Sequence, residues 1–353
     1  MSTTSPDTGT RTAAPTGVRE LRVGVVGAGR MGSDHVRRLT DVITGASVTA
    51  IVEPDEGRAA AAATLAPGSR AFAGIEAAID ADALDAVLIA TPGFLHEPVL
   101  LPALEAGLAI LSEKPLTTDS ASSLRVLEAE QKLDRPHIQV GFMRRFDAQY
   151  RELRALVEAG TAGQLLALRG VHRNPSVPDD YTQEMLITDS VVHEFDVMPW
   201  LAGSPIVSVE VKHMRRNSLS PAHLQEPILV LIQLENGVLV DVEMNVSIQY
   251  GYQVATEGVF EKGVARTGQP AGLQLWQDQR FSIAEHQSFT TRFADAYDAQ
   301  VQSWVNAALR GTIDGPSAWD GYLVALACEA GVEALATPGA VEVVAGTKPA
   351  FYR

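Results

Sequence analysis

The chain has 353 residues, 46% of them hydrophobic and 20% charged, a net charge of −15 and a single cysteine, Cys328. That length is enough for two domains and a sizeable core. The acidic balance, with no basic stripe, excludes a nucleic-acid partner, and one cysteine excludes a disulfide framework or a cysteine-based metal centre. No apolar run approaches the ~20 residues of a membrane span. Residues 1–20 are rich in Thr, Ser and Pro and lack an apolar segment. They read as a disordered tail rather than a secretory signal, so a cytoplasmic protein is expected.

The β-branched run over 21–26 predicts a buried strand. Gly27-Ala28-Gly29-Arg30-Met31-Gly32 follows as G-x-G-x-x-G, then a helical pattern over 33–40 and a second strand over 47–52 that ends in Glu53. This is the order of a dinucleotide-binding βαβ unit, with Glu53 21 residues beyond Gly32. Gly27 allows the tight turn, Gly29 lets the backbone approach a pyrophosphate, and Gly32 lets the helix pack on the strand. The helix N-terminus favours the phosphates. A carboxylate at Glu53 accepts hydrogen bonds from a ribose 2′-OH and repels a 2′-phosphate, so NAD is expected over NADP. Arg58 nearby leaves NADP open.

Helices are expected over 56–65, 74–79, 98–106 and 119–132, the last capped at Asp119 or Ser120. Strands are expected over 71–72, 84–90, 109–111 and 137–140. Strand and helix alternate, which predicts a parallel doubly wound sheet over 21–141. The turns at 91–96 and 112–115 follow strand ends on the same side as the Gly-rich loop, where such sheets bind ligands.

The style changes after Gly141. Helices are expected over 148–159, 184–200, 291–308 and 316–335, and strands over 165–172, 206–213, 228–234, 238–248 and 252–256. Glu235-Asn236-Gly237 is a hairpin signal. The expected architecture over 142–353 is an α+β domain with a large open, antiparallel or mixed sheet, serving substrate binding and oligomerisation. The end of the chain reads as loop.

Several residues are candidates for chemistry. Lys114 precedes a proline at a strand end, beside the expected cofactor. Asp189 and His193 are four apart on one expected helix, so they share a face; a carboxylate beside an imidazole orients it and raises its basicity. A surface ion pair would look the same. Arg144-Arg145 follows a strand end, and His172-Arg173-Asn174-Pro175 offers polar groups to hydroxyls. There is no H-E-x-x-H, no G-x-S-x-G and no G-x-x-x-x-G-K-[ST], so no metal, serine-hydrolase or nucleotide-hydrolase site is expected.

Taken together, the Gly-rich unit, Thr91-Pro92 with His96, Glu113-Lys114-Pro115 and the 189–193 segment resemble the glucose–fructose oxidoreductase / inositol dehydrogenase (Gfo/Idh/MocA) family. The stretches 141–147 (GFMRRFD), 172–175, Tyr181-Thr182, 192–196, 250–252 and 315–322 are most similar to its inositol dehydrogenase branch. The resemblance runs over about 21–352 and implies a cofactor site of Gly27, Gly29, Arg30, Met31, Gly32 and Glu53. Thr91, Pro92, His96, Glu113 and Lys114 would lie at the nicotinamide ribose end. It implies Lys114, Asp189 and His193 as catalytic residues: His193 the base, Asp189 orienting it and Lys114 polarising the oxygen while the carbinol hydride passes to nicotinamide C4. Met143, Arg144, His172, Asn174, Ser190 and Tyr252 match positions around the other ring hydroxyls. The implied reaction is oxidation of myo-inositol to scyllo-inosose by a homotetramer. Another inositol isomer, a hexose or glycoside, and a non-catalytic NAD(P)-sensing regulator stay open. The chain departs from the family pattern mildly, with Ser190 where Thr is expected and Glu53 where Asp is common.

Overall fold

The computed structural model describes residues 20–268 and 271–353. The tail expected over 1–20 falls, but for Glu20, outside them. The first half alternates β1 (Leu21–Val26), α1 (Arg30–Asp41), β2 (Ala46–Val52), α2 (Glu56–Leu65), β3 (Arg70–Phe72), α3 (Ile75–Asp80), β4 (Ala86–Ile89), α4 (His96–Glu105), β5 (Ala109–Glu113), α5 (Ser120–Glu130) and β6 (Ile138–Gly141). Asp119 caps α5, accepting from the Ser122 N–H at 2.7 Å. The six strands are parallel in the order β3-β2-β1-β4-β5-β6. The order reverses between β1 and β4, which opens a crevice at their carboxyl ends.

The chain continues through α6 (Ala148–Ala159) and β7 (Leu165–Arg173) to one π-helical turn, Leu186–Val191, that runs into α7 (Val192–Ala202). Then come β8 (Ile206–His213), β9 (Ile228–Leu234), β10 (Leu239–Asn245), β11 (Gln253–Phe260), β12 (Gly263–Arg266), β13 (Ala271–Gln277), β14 (Arg280–Ala284), α8 (Phe289–Arg292), α9 (Ala294–Leu309), α10 (Ala318–Ala334) and β15 (Val341–Glu342). Seven strands form the second sheet, β12-β11-β7-β10-β9-β8-β15. It is mixed: β7 and β10 run parallel and the other neighbours antiparallel. In β9 every second residue, from Ile228 to Leu234, is buried, the period of a sheet with one covered face.

Three stretches differ from the sequence-based expectation. The helix expected over 184–200 carries the π turn, in which the Val192 N–H reaches back five residues to the Ile187 carbonyl. β12 and the β13–β14 hairpin occupy a stretch with no expected element. In the hairpin, Leu273, Trp276 and Phe281 are all exposed, so no buried face imposes an alternation. Its two-residue turn, Asp278-Gln279, has positive φ at both positions without the usual Asn-Gly signal. The end of the chain adds the short β15 to the sheet.

The apolar interior falls into two layers. One covers a single face of the first sheet and includes Val23, Val25, Val36, Leu39 and Leu88 with Val301, Trp304 and Val305 of α9. The other runs from the opposite face, under α4, α5 and α10, to the inner face of the second sheet. Helix α9 thus returns to the first sheet, where Arg38 Nε donates to Asp298 at 2.6 Å and Gln302 bonds the Thr44 backbone. Trp304, 1% exposed, is the largest side chain in that layer. Trp304→Ala should lower the unfolding free energy by about 3–5 kcal/mol. Urea denaturation checks this; a loss under about 1 kcal/mol would show that α9 contributes little to the layer.

Candidate active site

The cofactor edge is built by backbone. Gly27 has φ +88°, and a Cβ there would lie 2.9 Å from both Ala90 O and Thr91 N. A Cβ on Gly32 would sit 1.8 Å from Gly27 O, so α1 packs directly on the turn. Beside Gly29 there is open space, and no side chain caps α1. Free N–H groups therefore face the place where a pyrophosphate would lie. Glu53 Oε2 accepts from the Ala28 N–H at 2.9 Å, and Oε1 accepts from Asp55 N–H at 3.0 Å and Arg58 Nη2 at 2.7 Å. Burial pushes the Glu53 pKa up, but these hydrogen bonds, Arg58's foremost, bring it below the usual carboxylate range. A carboxylate has about four lone-pair sites, so one remains for a ribose hydroxyl. Arg58, which left NADP open, is already tied to Glu53. At the end of β4 the Thr91 hydroxyl is buried without a partner. These features fit an NAD-sized ligand.

The cavity at the strand ends measures about 360 Å³ and is lined by Met31, Thr91, Pro92, Glu113 and Lys114 from the first sheet's side. His172, Asn174, Asp189, Ser190, His193 and Tyr252 close it from the second half, together with Phe289 and Tyr297. Lys114 Nζ donates to Asp189 Oδ1 at 2.8 Å and to the Asp189 carbonyl at 3.0 Å. The nearby Lys114 charge holds the Asp189 carboxyl below its ordinary range. His193 Nδ1 is buried and unpartnered. The expected Asp189–His193 contact is therefore replaced by one from Asp189 to Lys114. Burial, reinforced by the charges of Lys114, Arg144 and His172, holds the His193 pKa well below the ordinary histidine value.

Three expected contact residues are placed behind the cavity. Met143 and Arg144 are each 1% exposed and do not reach it. Arg144 Nη1 donates to Glu194 Oε1, and Nη2 lies 3.2 Å from His172 Nδ1, itself 3.1 Å from Glu194 Oε2. A guanidinium buried this deeply needs a carboxylate partner, and Glu194 takes it out of reach of a ligand. His96 is fully buried; its ring nitrogens lie 2.7 Å from Pro115 O and 2.9 Å from Thr91 O. It braces the two strand-end turns against each other.

Sequence reasoning missed several neighbours. His35 on α1 meets the Glu113 carboxylate at 2.7 Å, across 78 positions. Phe289, from the unassigned stretch, lies under the Arg30 guanidinium, 5.0 Å from ring centroid to Cζ. Tyr181 bonds Ser190 at 2.8 Å. Only Tyr181 carried a signal, in the Tyr181-Thr182 pair. A larger groove of about 760 Å³ lies between α7, β8 and α10; of its charged groups, Arg145, Asp196 and Asp320 are paired with one another and Arg154 with Glu158. Among the described residues no group of His, Cys, Asp and Glu could hold a metal ion, and no helix is long and apolar enough to cross a membrane.

The chain was compared with known proteins. Residues 21–142 match the model of an oxidoreductase family with an NAD-binding Rossmann fold, GFO/IDH/MocA, and residues 150–266 match that family's C-terminal domain. It is 72% identical to inositol 2-dehydrogenase of Leifsonia xyli subsp. xyli, over 94% of this chain and 98% of the relative. It is 68% identical to inositol 2-dehydrogenase of Corynebacterium glutamicum, over 95% and 99%. Among solved structures, myo-inositol dehydrogenase from Lactobacillus casei in complex with NAD(H) and myo-inositol superposes with a TM-score of 0.92, at 32% identity and covering 95% of this chain and 100% of that one. The apo scyllo-inositol dehydrogenase of the same organism gives 0.86, at 26% identity over 92% and 98%. Matches over both halves, and relatives this similar across nearly the whole length, establish that the chain belongs to the GFO/IDH/MocA oxidoreductase family.

Proposed function

We propose that this protein is an NAD-dependent inositol dehydrogenase that oxidises myo-inositol at C2 to scyllo-inosose (2-keto-myo-inositol). The observation that carries the reading is the placement of Lys114 Nζ, fixed by Asp189, in the same cavity as the unpartnered His193 imidazole and the strand ends that border the cofactor crevice. High identity to inositol 2-dehydrogenases over the full fold supports the substrate.

An ammonium has three protons. Two are committed to Asp189, and the third is free for a substrate oxygen. That bond stabilises the negative charge that develops on the oxygen as its proton leaves. His193 takes the proton; with Nδ1 sealed, Nε2 is the nitrogen left to act. Asp189 acts as a positioning residue through Lys114. His172, Asn174, Ser190 and Tyr252 contact the other hydroxyls, while Arg144 and Met143 support them from behind. Gly27, Gly29, Arg30, Met31, Gly32 and Glu53 hold NAD at the first sheet, with Thr91, Pro92 and Glu113 at its nicotinamide end and His96 bracing their loops. Bound NAD supplies the acceptor for the two electrons of the oxidation. The likeness to a scyllo-inositol dehydrogenase keeps a second isomer as the alternative substrate. Copies of the chain pair, we further propose, through the outer face of the second sheet, where Leu229, Leu231, Asp241 and Glu257 border an open groove, to give a homotetramer.

Formation of NADH at 340 nm over myo-, scyllo- and chiro-inositol, glucose and xylose, with NAD and NADP, tests the assignment. Clear preference for myo-inositol with NAD is expected; activity with a sugar alone would overturn it. Lys114→Ala should abolish turnover while NAD still binds by fluorescence titration, and surviving turnover would refute the lysine's role. The active His193 is neutral and its pKa is depressed, so activity is retained at neutral pH and lost only as pH falls below the ordinary histidine value near 6.5. A kcat/KM profile with saturating NAD should show this acid limb, and a limb centred above about 7 would contradict it. Sedimentation should give a tetramer; a monomer at micromolar concentration would exclude the pairing.

A further inference from the structure

The direction of one hydrogen-bond pair at the cavity wall can be worked out from its partners. The Tyr181 hydroxyl lies 2.6 Å from the Met185 carbonyl oxygen and 2.8 Å from Ser190 Oγ. A phenol has one proton, and a carbonyl oxygen only accepts. The Tyr181 proton therefore goes to Met185. The remaining contact needs a proton from the serine, so Ser190 donates to Tyr181. Burial, with the nearby Asp189 carboxylate, keeps Tyr181 a phenol by pushing its pKa up. Ser190 is 2% exposed and lines the cavity, and Tyr181 is equally buried behind it. With its only proton committed, Ser190 turns lone pairs alone toward the cavity.

We propose that Tyr181 is a positioning residue that locks Ser190 as a hydrogen-bond acceptor, so that Ser190 selects a substrate bearing a hydroxyl donor at the ring position it faces. The proposal rests on the reading that a polyol fills this cavity. An unconstrained serine would donate or accept as the ligand required. A locked one discriminates: a hydroxyl donates to it, hydrogen leaves it unpaired, and fluorine sets lone pairs against lone pairs. Each of the last two leaves a desolvated polar group without a partner.

The test compares the wild-type enzyme with Tyr181→Phe and Ser190→Ala on myo-inositol and on analogues in which each non-reacting hydroxyl is replaced singly by hydrogen or fluorine. Ser190→Ala identifies the position concerned, as the one where the preference for hydroxyl over hydrogen collapses. There, in the wild type, both analogues should fall about tenfold or more in kcat/KM, with fluorine no better than hydrogen. Tyr181→Phe frees the serine proton to point at fluorine. The fluoro-to-deoxy ratio should then rise about fivefold at that position and stay within about twofold elsewhere, a pattern general destabilisation does not produce. A wild-type preference for fluorine over hydrogen there, or a ratio unchanged by Tyr181→Phe, would overturn the proposal. Neutron diffraction from the wild-type protein in D2O is independent of the variants' folding. Deuterium on Ser190 directed at Tyr181 supports the lock, and deuterium directed into the cavity refutes it. If the wild type oxidises no inositol, the functional reading fails while the neutron map still decides the polarity.

Discussion

Lys114 and Asp189 stand 75 positions apart and meet at 2.8 Å. That contact joins the end of a strand in the first sheet to the π turn that leads into α7, and the cavity lies between. Half-exposed ion pairs contribute little to stability. Asp189, 51% exposed at its side chain, belongs to that class, so the value of this pair lies in direction. It aims an ammonium at the place where an oxygen must shed a proton. It also sets a positive charge beside His193, which adds to burial in keeping the imidazole neutral.

Behind this contact the charges are buried and closed on themselves. Arg144 is held by Glu194 and His172. Arg145 binds Asp196 at 2.5 Å and Asp320 at 3.1 Å. Burial pushes the Asp196 pKa up to about 6, although Arg145 opposes it. Buried pairs of this kind stabilise weakly against an apolar substitute, because desolvation offsets the attraction. What they fix is geometry: β7, the Met143–Phe146 turn after β6 and α7 are locked at the depth where their neighbours line the cavity. His193 and Glu194 show the division of labour, adjacent in the chain, one facing the cavity and the other anchoring its wall.

Much of this was legible in the sequence because it is local. Strand, glycine turn and helix at 21–41 are written in adjacent residues, and so are the turns at 91–96 and 112–115. The strands of the second sheet show as short apolar runs, as at 228–234, although in β9 only the burial alternates and not the letters. The parts that were not legible depend on distant partners. Arg144 carries the same letter whether it faces a ligand or a buried carboxylate, and Glu194 decides between the two. His96 reads as a cavity residue until Pro115 and Thr91 are seen to occupy both its nitrogens. The π turn leaves no mark in a pattern of apolar residues, since one extra backbone unit shifts the register without changing composition. The β13–β14 hairpin buries no face, so hydrophobic periodicity had nothing to report.

The return of α9 bears on how the nucleotide-binding half can be handled as a module. The layer over the first sheet is closed by Val301, Trp304 and Val305, roughly 160 residues beyond the last strand of that sheet. A fragment that stops after β6 would leave that layer uncovered. Exchange of cofactor preference between relatives by swapping the amino-terminal segment therefore asks a foreign helix to fit a borrowed surface, with Arg38–Asp298 and Thr44–Gln302 as the points of registration. The heritable unit of nucleotide recognition in this chain is discontinuous, two stretches of sequence that have to change together.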